Sequence, residues 1–173
     1  GSNIELGINS SWTPEIQATD TEEVARFATK FACAQFNKPV IKMDSGLFIT
    51  ALSGFPGPFV HYLDEQVGVE KFHTILRNVK DRSAYIKNSL AYCEPGKEPV
   101  VFSSTCQGTI ADTPLDDEGS FIGRLFIPFH KENRAGLFME TIKQKNYPLF
   151  LRIWGNAEKK FAVWWKNNST RHE

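Results

Sequence analysis

The chain has 173 residues, 41% hydrophobic and 23% charged, the proportions of one soluble globular domain large enough to bury a core without staples. Twenty Lys and Arg balance twenty Asp and Glu, so no overall field draws nucleic acid or an anionic membrane, and any anionic ligand needs a local site. No apolar run reaches the ~20 residues of a spanning helix, and no signal peptide opens the chain.

Gly1-Ser2 reads as the scar of a cleaved tag, leaving 3–173 as a single domain with no internal repeat or linker. Ile4–Ile8 is a short strand candidate, and Trp12-Thr13-Pro14 turns the chain into Glu15-Ile16-Gln17. Thr19 with Glu22 forms a capping-box signal, and Val24, Phe27, Ala28, Phe31 and Ala32 then recur at helical spacing. That helix should end near Asn37, ahead of Pro39.

Strands follow at 40–43 and 47–52, with Asp44-Ser45-Gly46 as the tight turn between them; Ser45-Gly46 supply the backbone freedom for a hairpin. Taken alone, this reads first as a hairpin whose Asp bonds its own backbone. If the first strand is regular, Lys42 shares a side with Asp44, opposite Met43. Gly54-Phe55-Pro56-Gly57-Pro58 makes a rigid loop. Val69, Phe72, Ile75 and Leu76 mark a second helix, and Ala84, Ile86 and Leu90 give 83–93 strand character.

Glu94-Pro95-Gly96-Lys97 is a turn. Val100–Ser103 and Gln107–Ala111 read as two strands, or as one long bent strand. Phe121–Phe129 reads as a strand, and Ala157–Lys166 as a closing helix with Phe161, Trp164 and Trp165 partly buried. Strands and helices without strict alternation predict an α/β fold, a mixed twisted sheet flanked by helices. Cys33, Cys93 and Cys106 lie far apart without metal or redox spacing and read as reduced thiols of a cytoplasmic protein.

Asp44-Ser45-Gly46-Leu47, followed by Ala51-Leu52-Ser53-Gly54-Phe55-Pro56-Gly57-Pro58-Phe59, resembles the inosine triphosphate pyrophosphatase family, in which a D-[ST]-G/C-L turn precedes an A-L-x-G-x-P-G-x-[YF] loop. Pro14-Glu15-Ile16-Gln17, Asp81-Arg82-Ser83-Ala84 and the segment from Phe102 through Gly108 to Ile110 are similar to further family motifs. The chain departs from the family where its T-G-N-x-x-K strand would stand, which leads us to expect that the chain starts after that unit. Met43 replaces a second acid, Ser120-Phe121-Ile122-Gly123-Arg124 replaces F-G-W-D-P, and Phe150-Leu151-Arg152 keeps only the arginine of S-H-R.

The resemblance implies a nucleoside triphosphate pyrophosphatase that cleaves inosine and xanthosine triphosphates with Mg²⁺. It makes Asp44 the catalytic base or metal-organising acid and Glu15 a metal ligand, with Ser45, Gly46, Lys145 and Arg152 as substrate-binding residues. Hard carboxylate oxygens suit Mg²⁺, and a carboxylate beside the metal can take a proton from water. The competing expectation is a non-catalytic homologue that binds a nucleotide weakly or serves as an interaction module. Loss of the first strand would leave sheet edges open, so a homodimer is expected.

Overall fold

The computed structural model describes residues 7–8, 13–14 and 16–168. The strand expected at Ile4–Ile8 and the residues Trp12 and Glu15 therefore fall wholly or mostly outside the described residues. Helix α1 (Thr21–Phe36) opens the described fold, and the Asp20 carboxylate caps it by accepting from the Glu22 amide at 2.9 Å. The cap lies one residue later than the Thr19 box predicts, because the Glu22 side chain turns instead to Lys87. The helix ends at Asn37 in the left-handed region, φ 47°, two residues before Pro39.

Small residues on α1, Ala25, Ala28, Ala32 and Cys33, press on the sheet together with Val24. Phe27 and Phe31, expected on that stripe, remain partly exposed and stack on each other at 6.4 Å. A close helix-to-sheet approach leaves no room for two phenyl rings, so the small side chains take the contact.

Strand β1 (Val40–Ile49) is continuous, which corrects the hairpin expected at Asp44-Ser45-Gly46. All ten residues pair antiparallel with β3 (Ser83–Cys93), from Val40 opposite Cys93 to Ile49 opposite Ala84. The reversal comes later, through a 3₁₀ turn at Thr50–Leu52 and the positive-φ residues Ser53 and Gly54. A cis Phe55–Pro56 bond then leads into β2 (Pro56–Gly57), which pairs back onto Leu47 and Phe48. Gly46 is a glycine for a different reason: a Cβ there would sit 2.8 Å from the Gly57 carbonyl carbon and oxygen and from the Phe48 ring.

Helices α2 (Val60–Gln66) and α3 (Val69–Ile75) follow, with Phe72 and Leu76 buried as expected and Ile75 exposed. Strand β4 (Val100–Ile110) runs unbroken, the second of the two readings for that stretch. The strand expected at Phe121–Phe129 is a short helix, α4 (Phe121–Leu125), and only β5 (Phe126–Pro128) is extended. Ser120 decides this locally, because its hydroxyl caps the Gly123 amide at 3.1 Å. Helices α5 (Met139–Lys145), α6 (Tyr147–Trp154) and α7 (Asn156–Asn168) complete the chain.

The sheet order is β2-β1-β3-β4-β5, and every pairing among the described residues is antiparallel. Helix α1 covers one face. The main core lies on the other, where Leu47, Ile49 and Ile86 meet Ile142, Leu149 and Ile153 of α5 and α6. Burying each such side chain contributes about 1.5–3 kcal/mol, which holds two short helices in place. Phe121 and Phe126 belong to this core. A second cluster joins Leu90 and Tyr92 to Ala157 and Phe161 of α7, as the expected closing helix requires.

Candidate functional site

Alternation along β1 puts Lys42, Asp44, Gly46 and Phe48 on the α1 face, and Met43, Ser45 and Leu47 on the opposite one. Lys42 thus shares a side with Asp44, as a regular strand predicts, and its ammonium donates to the Thr13 hydroxyl. Asp44 sits in mid-strand opposite Ser89. Ser89 is fully buried, its hydroxyl 2.7 Å from that of Thr21 and 3.0 Å from that of Ser103. A polar layer therefore runs from Asp44 across the sheet beneath the first turn of α1.

Lys87 closes this layer, two residues along β3 from Ser89 and opposite Gly46. Its ammonium lies 2.8 Å from Asp20 and 3.0 Å from Glu22. Burial works against the Asp20 charge, yet the Lys87 ammonium and the Glu22 amide hold its carboxyl below the ordinary value. The Lys87 contact, aided by the Ser103 hydroxyl, does the same for Glu22. Burial opposes the Lys87 charge, and the two carboxylates outweigh it to raise its pKa.

Ser45 faces the other way, beside Asn88, whose buried amide donates to the Trp154 carbonyl at 2.9 Å. Lys145 is exposed at the end of α5. Arg152, on α6, forks onto Glu132 through Nε at 3.2 Å and Nη2 at 2.6 Å. Both helices pack on the face opposite α1. The structure thus joins Asp44, Ser45 and Gly46 through one strand and puts Lys145 and Arg152 across the sheet from the Asp44 side chain, while Glu15 lies outside the described residues.

No cluster of three His, Cys, Asp or Glu forms a metal site among the described residues. Asp44 fits Mg²⁺ as a hard oxygen donor, whereas Asp20 and Glu22 on the same face are turned to Lys87. Sequence reasoning missed Lys87, although the alternation of β3 gives it one face with Ser89. It also missed Glu140, a buried acid on the unforeseen α5 that helps line a cavity of about 360 Å³. No helix of the described residues is long and apolar enough to cross a membrane.

A dITP/XTP pyrophosphatase of Methanopyrus kandleri is 36% identical over 155 residues, covering 90% of this chain and 80% of that protein. Another dITP/XTP pyrophosphatase, from Methanothermobacter marburgensis, is 34% identical over 165 residues, covering 95% and 85%. Among solved structures, the Staphylococcus aureus Ham1 protein aligns with a TM-score of 0.66 at 28% identity, covering 89% of this chain and 81% of its own. A HAM1 protein from Coxiella burnetii aligns with a TM-score of 0.75 at 21% identity, covering 90% and 82%, and shares the fold. The model of the Ham1 family matches residues 3–149, and with those relatives it establishes that this chain belongs to the Ham1 family.

Proposed function

We propose that this chain hydrolyses the triphosphates of deaminated purine nucleosides, inosine and xanthosine, to the monophosphate and pyrophosphate, working as a homodimer in the cytoplasm. The observation that carries this reading is Asp44, a half-buried residue held in mid-strand by pairing with Ser89, in a chain whose relatives bear the name dITP/XTP pyrophosphatase. Asp44 takes a proton from the attacking water, whose oxygen bonds to the α-phosphorus as the bond to the bridging oxygen breaks and pyrophosphate departs. Ser45 and Gly46 border the phosphates. Asp44 and Glu15 would hold a Mg²⁺, which would neutralise phosphate charge. Lys145 and Arg152, on the opposite face of the sheet, meet the rest of the nucleotide only where it passes around the edge of the sheet, and Arg152 must first leave Glu132.

That ion pair also favours the second reading, a non-catalytic homologue whose nucleotide contacts are tied up. A magnesium-dependent pyrophosphate-release assay with inosine, xanthosine and the four common triphosphates separates the two. Turnover of the first two is expected, and Asp44→Asn should reduce it by about 10²- to 10⁴-fold. No turnover at micromolar enzyme supports the non-catalytic homologue, and an unaltered rate in the variant places the base elsewhere.

A further inference from the structure

On the side away from β3, strand β4 is met only from Gln107 onward, by β5 and Phe129. Gln107 turns its carbonyl outward to the Phe129 amide at 2.8 Å, and Ser103 turns its own outward to the Lys160 ammonium at 2.6 Å. By the alternation of an antiparallel strand, Val101 and Thr105 also point their N–H and C=O groups away from β3, and no strand meets them among the described residues. The stretch from Val100 to Cys106 contains no charged residue and no proline, the side chains that commonly blunt a sheet edge. Lys160, reaching over from α7, occupies one carbonyl of this edge and none of its amides.

Along the same edge runs a groove of about 710 Å³, with Phe102, Ser104 and Thr105 as its strand wall. Lys159, Lys160, Val163 and Trp164 form the other wall, and spacings of three and four residues put them on one side of α7. Ala157 and Phe161, on the adjacent side, hold the helix to the core. No acid lines the groove, and neither lysine has a carboxylate partner among the described residues. Free backbone donors, apolar surface and two cations therefore meet at one place.

We infer that the outer edge of β4 and the facing side of α7 form a docking site for an extended acidic segment of another protein, added to the sheet as a strand beside Val101–Thr105. Backbone hydrogen bonds hold such a strand, and every second side chain turns toward α7, where carboxylates meet Lys159 and Lys160 and apolar groups meet Phe102, Val163 and Trp164. An amide of the incoming strand replaces the Lys160 ammonium on the Ser103 carbonyl, which frees that charge for a carboxylate. Charge decides the occupant: a second copy pairing on this edge would bring its own Lys159 and Lys160 against these, whereas an acidic segment neutralises both.

The test titrates the full chain with a blocked octapeptide that alternates Glu and Val, read by nuclear magnetic resonance at the backbone amides. The Val101, Ser103 and Thr105 amide signals should shift, and their hydrogen exchange, fast in the free protein, should slow. The same peptide with Lys in place of Glu should bind about 10-fold more weakly, and Lys159→Glu with Lys160→Glu should reverse that preference. N-methylation of the Glu or of the Val residues, whichever turn their N–H groups to β4, should weaken binding by at least about 10-fold. No shift at these amides with millimolar peptide, a preference unchanged in the double variant, or full affinity in both N-methylated forms overturns the assignment. Slow exchange of the three amides in the free protein also overturns it, since the edge would then be filled by the ends of the chain or by a second copy.

Discussion

Lys87 shows how much one side chain can organise without touching the reacting groups. Its ammonium bridges Asp20, the cap of α1, and Glu22 on the first turn, which ties that helix end to β3. Both carboxyls titrate below their ordinary values of 3.8 and 4.5, so their contribution to stability is present above those values and lost as pH falls through the depressed ones. Lys87 titrates above 10.5, so its share is complete below that pH and lost as pH rises through the raised value. Replacing it in Lys87→Met should lower stability at neutral pH by about 1 kcal/mol or less, since both acids are substantially exposed. Thermal unfolding should show the gap between variant and wild type closing as pH drops below 3.8. A gap that stays constant into acid would mean that the pair contributes nothing. The sequence marked Asp44 and Ser45 through their neighbours, but Lys87 lies far along the chain from the acids it holds.

At the scale of elements, the correction at Asp44-Ser45-Gly46 is instructive. An acid, a serine and a glycine in succession are turn chemistry, and nothing in the local sequence separates a hairpin from a strand that another segment crosses closely. The crossing segment is β2, whose Gly57 backbone lies where a Gly46 side chain would go. Gly46→Ala should therefore destabilise the fold by about 1–3 kcal/mol, as overpacking against unyielding backbone does, even though alanine suits a strand better than glycine. Urea unfolding measures it, and a variant as stable as the wild type would show that the loop gives way. The same distinction explains α4. Phe121–Phe129 is apolar enough for a strand, and the Ser120 cap turns its first half into helix. Helices α5 and α6 escaped notice because each is short and its apolar residues matter only against Leu47, Ile49 and Ile86.

At the scale of the whole molecule, the described residues leave part of one side of β1 without a strand partner. Among the described residues, β2 meets it only at Leu47 and Phe48, so the stretch from Val40 to Gly46 has no strand partner on the side away from β3. Unpaired strand edges recruit another chain, and a homodimer is the proposed outcome. Sedimentation at micromolar concentration should return twice the mass of the chain, and a monomer under those conditions would count against it.

The sequence by itself determined the α/β class, the span of α1, the strand 83–93, and the family, through the acid and the Gly-Pro loop that follows it, while it left 100–111 open between two strands and one. These features depend on periodicity, capping and turn residues, which act over a few positions. Only the tertiary structure decided that Asp44 lies in mid-strand, that Gly46 makes way for Gly57, that Arg152 is held by Glu132, and that Lys87 and Glu140 have special surroundings. Each of these joins residues distant in the chain, and a pairing across the sheet or a close crossing leaves no periodic trace in either partner alone.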